Sequence, residues 1–380
     1  MKPIIAITAG DVAGVGPEVI LRAIEDPETG SVCHPVLIGH PEIFRQAGAV
    51  FGLGVPLQEY ANGSDIRYLR AAVRSAETQR EILCIDPAGD FVLLAPRGRV
   101  SREAGEAAFQ YLEAAIHLAQ HSAVDAIVTA PLNKEALHLA GQNFPGHTEI
   151  LADRCGVEEF AMMLHLPESA MKEWRHLIRP IQGTSKVSGV GAVLSGLSIA
   201  HVTLHTSVAS VPGLLSTESV VSKIRLMDEF LQRIHCERRA IAVCALNPHG
   251  GENGLFGDEE AKIIEPAVAA CVSSVKSVVG PLPVDTLIRR AVSGEFDGIV
   301  AMYHDQGHIP VKLIGFESAV NITLGLPIVR TSPTHGTACD RAWNPQTPAS
   351  ARGMIEAIKI AAALANKRSR IETVVATAIL

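Results

Sequence analysis

Short aliphatic runs recur along the chain and alternate with stretches in which apolar residues return every three or four positions. Residues 4–8, 35–38, 91–94, 126–129, 161–164, 199–204, 240–246 and 298–302 have the length and aliphatic content of buried strands. Residues 16–24, 102–121, 148–155, 217–234, 258–275 and 350–366 carry the helical period. A strand covered on both faces loses its apolar–polar alternation and reads as a continuous aliphatic run. Such runs separated by helices predict strand–helix–strand units, an α/β class and mostly parallel sheets. One segment breaks the pattern: 167–197 is basic at first (Lys172, Arg175, His176, Arg179, Lys186) and Gly/Ser-rich over 183–196. It reads as an insertion, either a lid or a solvated excursion, because loops accept extra length at small entropic cost.

The length of 380 residues suggests two domains. Aromatic residues make up only 4% of the chain against 47% hydrophobic overall, so the core has to be built from Ala, Val, Ile and Leu. A net charge of −7 with no basic block argues against nucleic acid as a partner, although a few local cations and backbone N–H groups suffice for a small anion. The seven cysteines form no C-x-x-C pair, which fits buried thiols in a reducing cytosol better than a disulfide framework or a zinc ribbon. The chain starts on a strand-like Lys2-Pro3-Ile4-Ile5 rather than a signal sequence, and no run of about 20 apolar residues is free of polar interruption, so no membrane span is expected. A cytoplasmic enzyme is the expectation.

Candidate chemistry concentrates at the ends of the expected strands, where α/β proteins place their ligands. The glycines at 10, 14 and 16 follow the first strand and open a helix, but their spacing matches neither the dinucleotide fingerprint nor the phosphate loop of nucleotide hydrolases. A tight strand–helix turn and an anion cradle both remain open for them. Lys134 follows the 126–129 strand. His147 and Thr148 open a helix whose dipole favours an anion, with a plain N-cap as the alternative for Thr148. His205, His249 and His304 each follow an aliphatic strand. With 15 histidines in the chain, one of them alone means little, but three in the same setting make a candidate metal site. Asp305 lies beside the third. Lys312, Asn321 and Arg330 are cationic or amide donors in an apolar region, and the planar fork of Arg330 matches phosphate oxygens. The polar loop Thr334-His335-Gly336-Thr337-Ala338-Cys339-Asp340 offers backbone to a nucleotide.

Taken together, GDVAGVGPE, TAPLNKEALHLAG, FPGHTE, LNPHGGENG, MYHDQGHIPVK, VNITLGLP and RTSPTHGTACD resemble the 4-hydroxythreonine-4-phosphate dehydrogenase family, in family order and over most of the chain outside 167–197. The resemblance implies two α/β/α domains of the isocitrate and isopropylmalate dehydrogenase type: 1–135 with 335–380, and 136–334, the latter carrying the metal and dimer contacts. It implies a homodimer with the active site in a cleft near the subunit interface. His205, His249 and His304 are then ligands of a divalent cation (Zn, Mg, Mn or Co), with His304 of the partner subunit completing the set. His147, Thr148, Asp285, Lys312, Asn321 and Arg330 bind the substrate, a small phosphorylated hydroxy acid. His335, Gly336, Thr337 and Asp340 face NAD, with NADP left open.

The implied reaction oxidises the C3 hydroxyl by hydride transfer and then releases CO2, with Lys134 and Asp305 as alternative bases. The NKEALH wording resembles the branch acting on 4-phospho-D-threonate or 4-phospho-D-erythronate. Ala9 and Val12 stand where proline is common, and Ala342-Trp343 replaces an Ala-Gly pair. Three competing functions use the same residues: a dehydrogenase of an unphosphorylated dihydrodiol carboxylate, a metal-dependent lyase or phosphohydrolase, and a phosphate-sensing binding module.

Overall fold

A computed structural model describes residues 2–61, 65–177 and 194–378. Its strands are β1 (Ile4–Thr8), β2 (His34–Ile38), β3 (Leu57–Tyr60), β4 (Ile82–Ile85), β5 (Ala126–Thr129), β6 (Ala161–Pro167), β7 (Gly196–His201), β8 (Ala240–Cys244), β9 (Ser277–Leu282), β10 (Gly298–Ala301), β11 (Val320–Leu324) and β12 (Arg330–Pro333). They belong to two compact units, one made of Met1–Glu158 with Leu326–Leu380 and the other of Glu159–Gly325. The mixed α/β class with mostly parallel sheets is the one the aliphatic runs predict.

The first unit holds a parallel sheet in the order β3-β4-β2-β1-β5-β12. β1 and β5, at its centre, are buried along their whole length, which explains their unbroken aliphatic character. The Arg102–Gln120 helix lies against β1 and β5 through a buried face rich in alanine, and Ser101 caps it by accepting from Ala104 N at 3.2 Å. The His147–Cys155 helix belongs to the same unit. Arg154 pairs with Glu113 at 2.6 Å, and Gln120 Nε2 donates to the Arg154 carbonyl at 2.9 Å.

The division between units therefore falls at 158/159 and 325/326, where the sequence suggested 135/136 and 334/335. The helix is anchored by side chains, and β12 by its pairing with β5, neither of which periodicity reveals.

In the second unit the order is β11-β6-β7-β10-β8-β9, with β6 antiparallel to both neighbours and the remaining pairs parallel. Its core packs Met162, Leu164, Leu197, Ile199, Ala242, Ile299 and Val311, and each fully buried Leu, Ile or Val side chain contributes about 1.5–3 kcal/mol. β7, β10 and β8 are parallel neighbours, so their C-terminal ends lie side by side.

Three expected elements differ. Residues 91–94 form a short 3-10 helix (Asp90–Leu94): Gly89 turns the chain at φ 82°, Ala95 N donates to the Val92 carbonyl, and only Val92 is buried. The expected 258–275 helix divides into a wide helical turn at Glu260–Ile264 and a helix at Glu265–Cys271. Lys172, Arg175 and His176 of the expected insertion fall on the Glu168–Leu177 helix after β6, while Arg179, Lys186 and most of the Gly/Ser-rich part lie outside the described residues. Among the described residues no helix is long and apolar enough to cross a membrane.

Candidate active site

In the first unit, β12 carries Arg330 alongside β5, where its side chain is 2% exposed and Nη2 donates to Thr129 Oγ1 at 2.7 Å. Burial works against its charge and the Glu149 carboxylate supports it. A guanidinium keeps its proton even so. Beside it begins the His147–Cys155 helix. Its N-cap is Gly146, in extended backbone, and no side chain caps the helix. Thr148 is therefore not the cap; it lies one residue inside the helix and is 7% exposed. Burial and the Arg330 charge hold the His147 imidazole well below its ordinary range, so it is neutral near pH 7. A cationic fork, a helix N-terminus without a capping side chain, a hydroxyl and a neutral imidazole thus meet in one place. Together they suit a phosphate dianion. Lys134 opens the short helix after β5, capped by Asn133 through Ala136 N at 3.0 Å, and its side chain is exposed.

The loop after β12 packs on the turn after β1. Val15 N donates to the Thr337 carbonyl at 2.9 Å, Trp343 Nε1 donates to the Val12 carbonyl at 3.0 Å, and the Arg97 guanidinium lies over the Trp343 ring at 4.2 Å. A Cβ on Gly14 would sit 2.6 Å from the Thr337 carbonyl oxygen. Gly14 thus serves close packing of two loops, and the first motif is a tight strand–helix turn. Within the loop, His335 Nδ1 approaches the Gly336 carbonyl at 3.0 Å, while Gly336 and Asp340 face solvent. Asp11, which the sequence did not single out, is fully buried in this turn. It accepts from Ala13 N at 2.9 Å, and burial pushes its carboxyl up to about 6.

In the second unit the three expected metal ligands follow the neighbouring ends of β7, β10 and β8. Val202 N and Thr203 N donate to the carbonyls of Ala301 and Met302, at 2.8 and 3.1 Å, so the chain leading to His205 runs beside the end of β10. His205 and His304 come together with ring centroids 6.0 Å apart. His304 Nδ1 lies 2.7 Å from Asp305 Oδ1. His249 sits on the loop Pro248–Gly254, which passes through five consecutive left-handed residues (His249 φ 55° to Asn253 φ 56°), and its Nδ1 turns to Glu252 at 3.0 Å.

Imidazole donors of this kind suit a borderline divalent cation. Among the described residues no three His, Cys, Asp or Glu side chains are gathered to hold one; His205 and His304 face each other, and His249 Nδ1 lies against Glu252.

Two residues without a sequence signal of their own fix this region. Glu260 is 4% exposed and accepts from Leu246 N, Asn247 N and Asn247 Nδ2 at 2.8, 2.7 and 2.9 Å, which anchors the base of the His249 loop. Gln306 accepts from Met302 N and donates to the Ala245 carbonyl, both at 2.8 Å, and so ties the ends of β10 and β8. Only its place two residues after His304 could have pointed to Gln306; nothing pointed to Glu260. Of the other expected substrate residues, Asn321 lies on β11 with its Oδ1 buried and without a hydrogen-bond partner among the described residues. Lys312 and Asp285 are exposed on the His304–Gly315 and Val284–Val292 helices.

An α/β protein with a buried arginine beside a helix N-terminus in one unit and a histidine pair beyond the ends of two neighbouring parallel strands in the other is the class these features define. The family model for the pyridoxal phosphate biosynthetic protein PdxA matches residues 31–361. The D-threonate 4-phosphate dehydrogenase of Cupriavidus necator is 41% identical over 97% of this chain and 98% of its own length. The 4-hydroxythreonine-4-phosphate dehydrogenase of Desulfosudis oleivorans is 39% identical over 95% of both chains. The crystal structure of the 4-hydroxythreonine-4-phosphate dehydrogenase from Klebsiella pneumoniae superimposes with a TM-score of 0.75 at 37% identity, covering 96% of this chain and 98% of that one. The chain belongs to the PdxA family of dehydrogenases acting on phosphorylated hydroxy acids.

Proposed function

We propose that the chain is an NAD-linked, divalent-metal-dependent dehydrogenase that oxidises and decarboxylates a 4-phosphorylated 3-hydroxy acid, with 4-phospho-D-threonate or 4-phospho-D-erythronate ahead of 4-phosphohydroxythreonine. The observation that carries it is the buried Arg330 beside neutral His147 and Thr148, an arrangement suited to one terminal phosphate. When bound, the cation supplies Lewis acidity toward the C3 oxygen and the nucleotide a hydride acceptor. The chain's own residues do the rest. Arg330, His147 and Thr148 grip the phosphate, and Lys312, Asn321 and Asp285 are the further substrate-binding residues. Lys134 or Asp305 receives the hydroxyl proton. The resulting 3-keto acid loses its carboxylate as CO2, because the adjacent ketone accepts the electron pair. Binding energy at the phosphate, remote from the reacting carbon, holds that carbon in place. His335, Gly336, Thr337 and Asp340 line the nucleotide side, on a loop held by Gly14 and Trp343. The functional unit is a homodimer in the cytoplasm, in which His304 of the partner subunit completes the ligand set with His205 and His249.

The test is reduction of NAD or NADP at 340 nm with each of the three phosphorylated acids. It is run on the enzyme freed of metal by a chelator and then resupplied with Zn, Mg, Mn or Co. Metal-dependent reduction accompanied by CO2 release is expected. Metal-dependent phosphate release without cofactor reduction would establish the lyase or phosphohydrolase alternative instead.

A further inference from the structure

Two histidines of the second unit take no part in the reaction above. His201 is the last residue of β7 and 1% exposed; His308 is 8% exposed on the His304–Gly315 helix. We infer that His308, backed by His201, is a positioning residue that fixes the ring plane and tautomer of His304. This rests on the reading of His304 as a metal ligand.

Four imidazoles form a line from the buried interior of the second unit to its surface. His201 and His308 have ring centroids 4.8 Å apart, His308 and His304 stack at 3.6 Å with planes only 9° apart, and His304 and His205 follow at 6.0 Å. The stack has a simple origin. His304 is the first residue of its helix and His308 lies one turn on, a spacing that places two side chains on the same face. A stacked pair needs something behind it to keep the second ring from turning away, and His201 supplies that. Its own position is fixed by its Nδ1, which lies 3.4 Å from the Met162 carbonyl. Gly307 leaves it room, since a Cβ there would collide with His201 Nε2.

The hydrogen bonds then settle the tautomers. A carbonyl only accepts, so His308 Nδ1, 3.2 Å from the His304 carbonyl, carries a proton. The Asp305 carboxylate likewise accepts from His304 Nδ1 at 2.7 Å. That leaves the His304 Nε2 lone pair open, the atom a cation would take. One face of His304 is covered by His308, which holds the ring plane, and one edge is held by Asp305, so turning out of the plane breaks the stack and a flip within it breaks the hydrogen bond.

The experiment uses the full chain and the variants His308→Ala and His308→Phe, labelled with 15N-histidine. The His304 imidazole signals are assigned with His304→Gln. In the metal-free wild type, His304 is expected to show the shifts of one fixed Nδ1–H tautomer. Zn2+ affinity is read by competition with a chromogenic chelator. His308→Ala should average the His304 tautomers and weaken Zn2+ binding by roughly 10–100-fold, the usual cost of losing a group that orients a ligand. His308→Phe keeps a flat ring in the stack and should restore both readouts. An Ala variant with unchanged His304 shifts and Zn2+ affinity within about twofold of wild type overturns the inference, as does a Phe variant that loses as much as Ala. If the wild type binds no Zn2+ while the His304 shifts follow the expected order, the positioning role stands and the metal reading is the one that fails.

Discussion

Replacing Arg330 by Ala tests the phosphate receptor most directly. The side chain is almost fully buried, its hydrogen bond to Thr129 holds it in the sheet, and its neighbours are His147 and Glu149. A guanidinium fork makes two charge-assisted hydrogen bonds to a phosphate, each worth about 1.5–3 kcal/mol. Losing both removes about 3–6 kcal/mol, and at about 1.4 kcal/mol per decade kcat/KM should fall roughly 10²–10⁴-fold. Because the phosphate is remote from the reacting carbon, part of the loss should fall on kcat as well as KM. Arg330→Lys keeps the charge without the planar fork and should recover only part of the activity. The assay is steady-state cofactor reduction with a 4-phosphotetronate, alongside inhibition by inorganic phosphate, which should compete in the wild type and lose its effect in the Ala variant. Thermal unfolding checks that the variant is folded. A folded Ala variant that keeps kcat/KM within about tenfold and remains sensitive to phosphate refutes the receptor, and leaves the dihydrodiol substrate as the better reading.

Three further outcomes follow from the packing. Glu260→Gln replaces a carboxylate that accepts from two backbone N–H groups and an amide, so it should loosen the His249 loop and raise the proteolytic cleavage rate within 247–254 at least severalfold, with an unchanged rate as the contrary result. Gly14→Ala places a methyl 2.6 Å from the Thr337 carbonyl and should raise KM for the nucleotide about tenfold or more while KM for the acid changes little, as steady-state kinetics at varied nucleotide will show. The last concerns pH. Burial lowers the His165 imidazole to about 4, so below its unfolded value of about 6.5 the unfolded chain binds the extra proton and stability falls as pH drops from about 6.5 toward 4. Asp11, raised to about 6, acts the other way between about 6 and 3.8. His165→Gln should therefore reduce the fall in unfolding free energy near pH 5 by about 1.4 kcal/mol per pH unit, measured by urea denaturation across a pH series.

Hydrophobic patterning was enough to specify the class of fold. Strands buried on both faces must be written in aliphatic residues, so β1, β5, β8 and β10 were legible one by one, and the polar residues that interrupt the pattern after them marked the strand ends. Elements that carry no such pattern were invisible. β3 is a half-exposed edge strand. β12 reads Arg-Thr-Ser-Pro and yet is wholly buried, because Arg330 donates to Thr129 and Thr331 Oγ1 donates to the Ala357 carbonyl across 26 residues. Hydrophobicity cannot predict burial that partners make possible.

How the candidates group was settled in three dimensions. Folding joined Arg330 to His147, far apart in the chain, and brought His205 beside His304, while His249 Nδ1 lies against Glu252. It also set Glu260 beneath that loop and lined His201 up with His308. These are consequences of strand order and side-chain partners, and a linear pattern records neither.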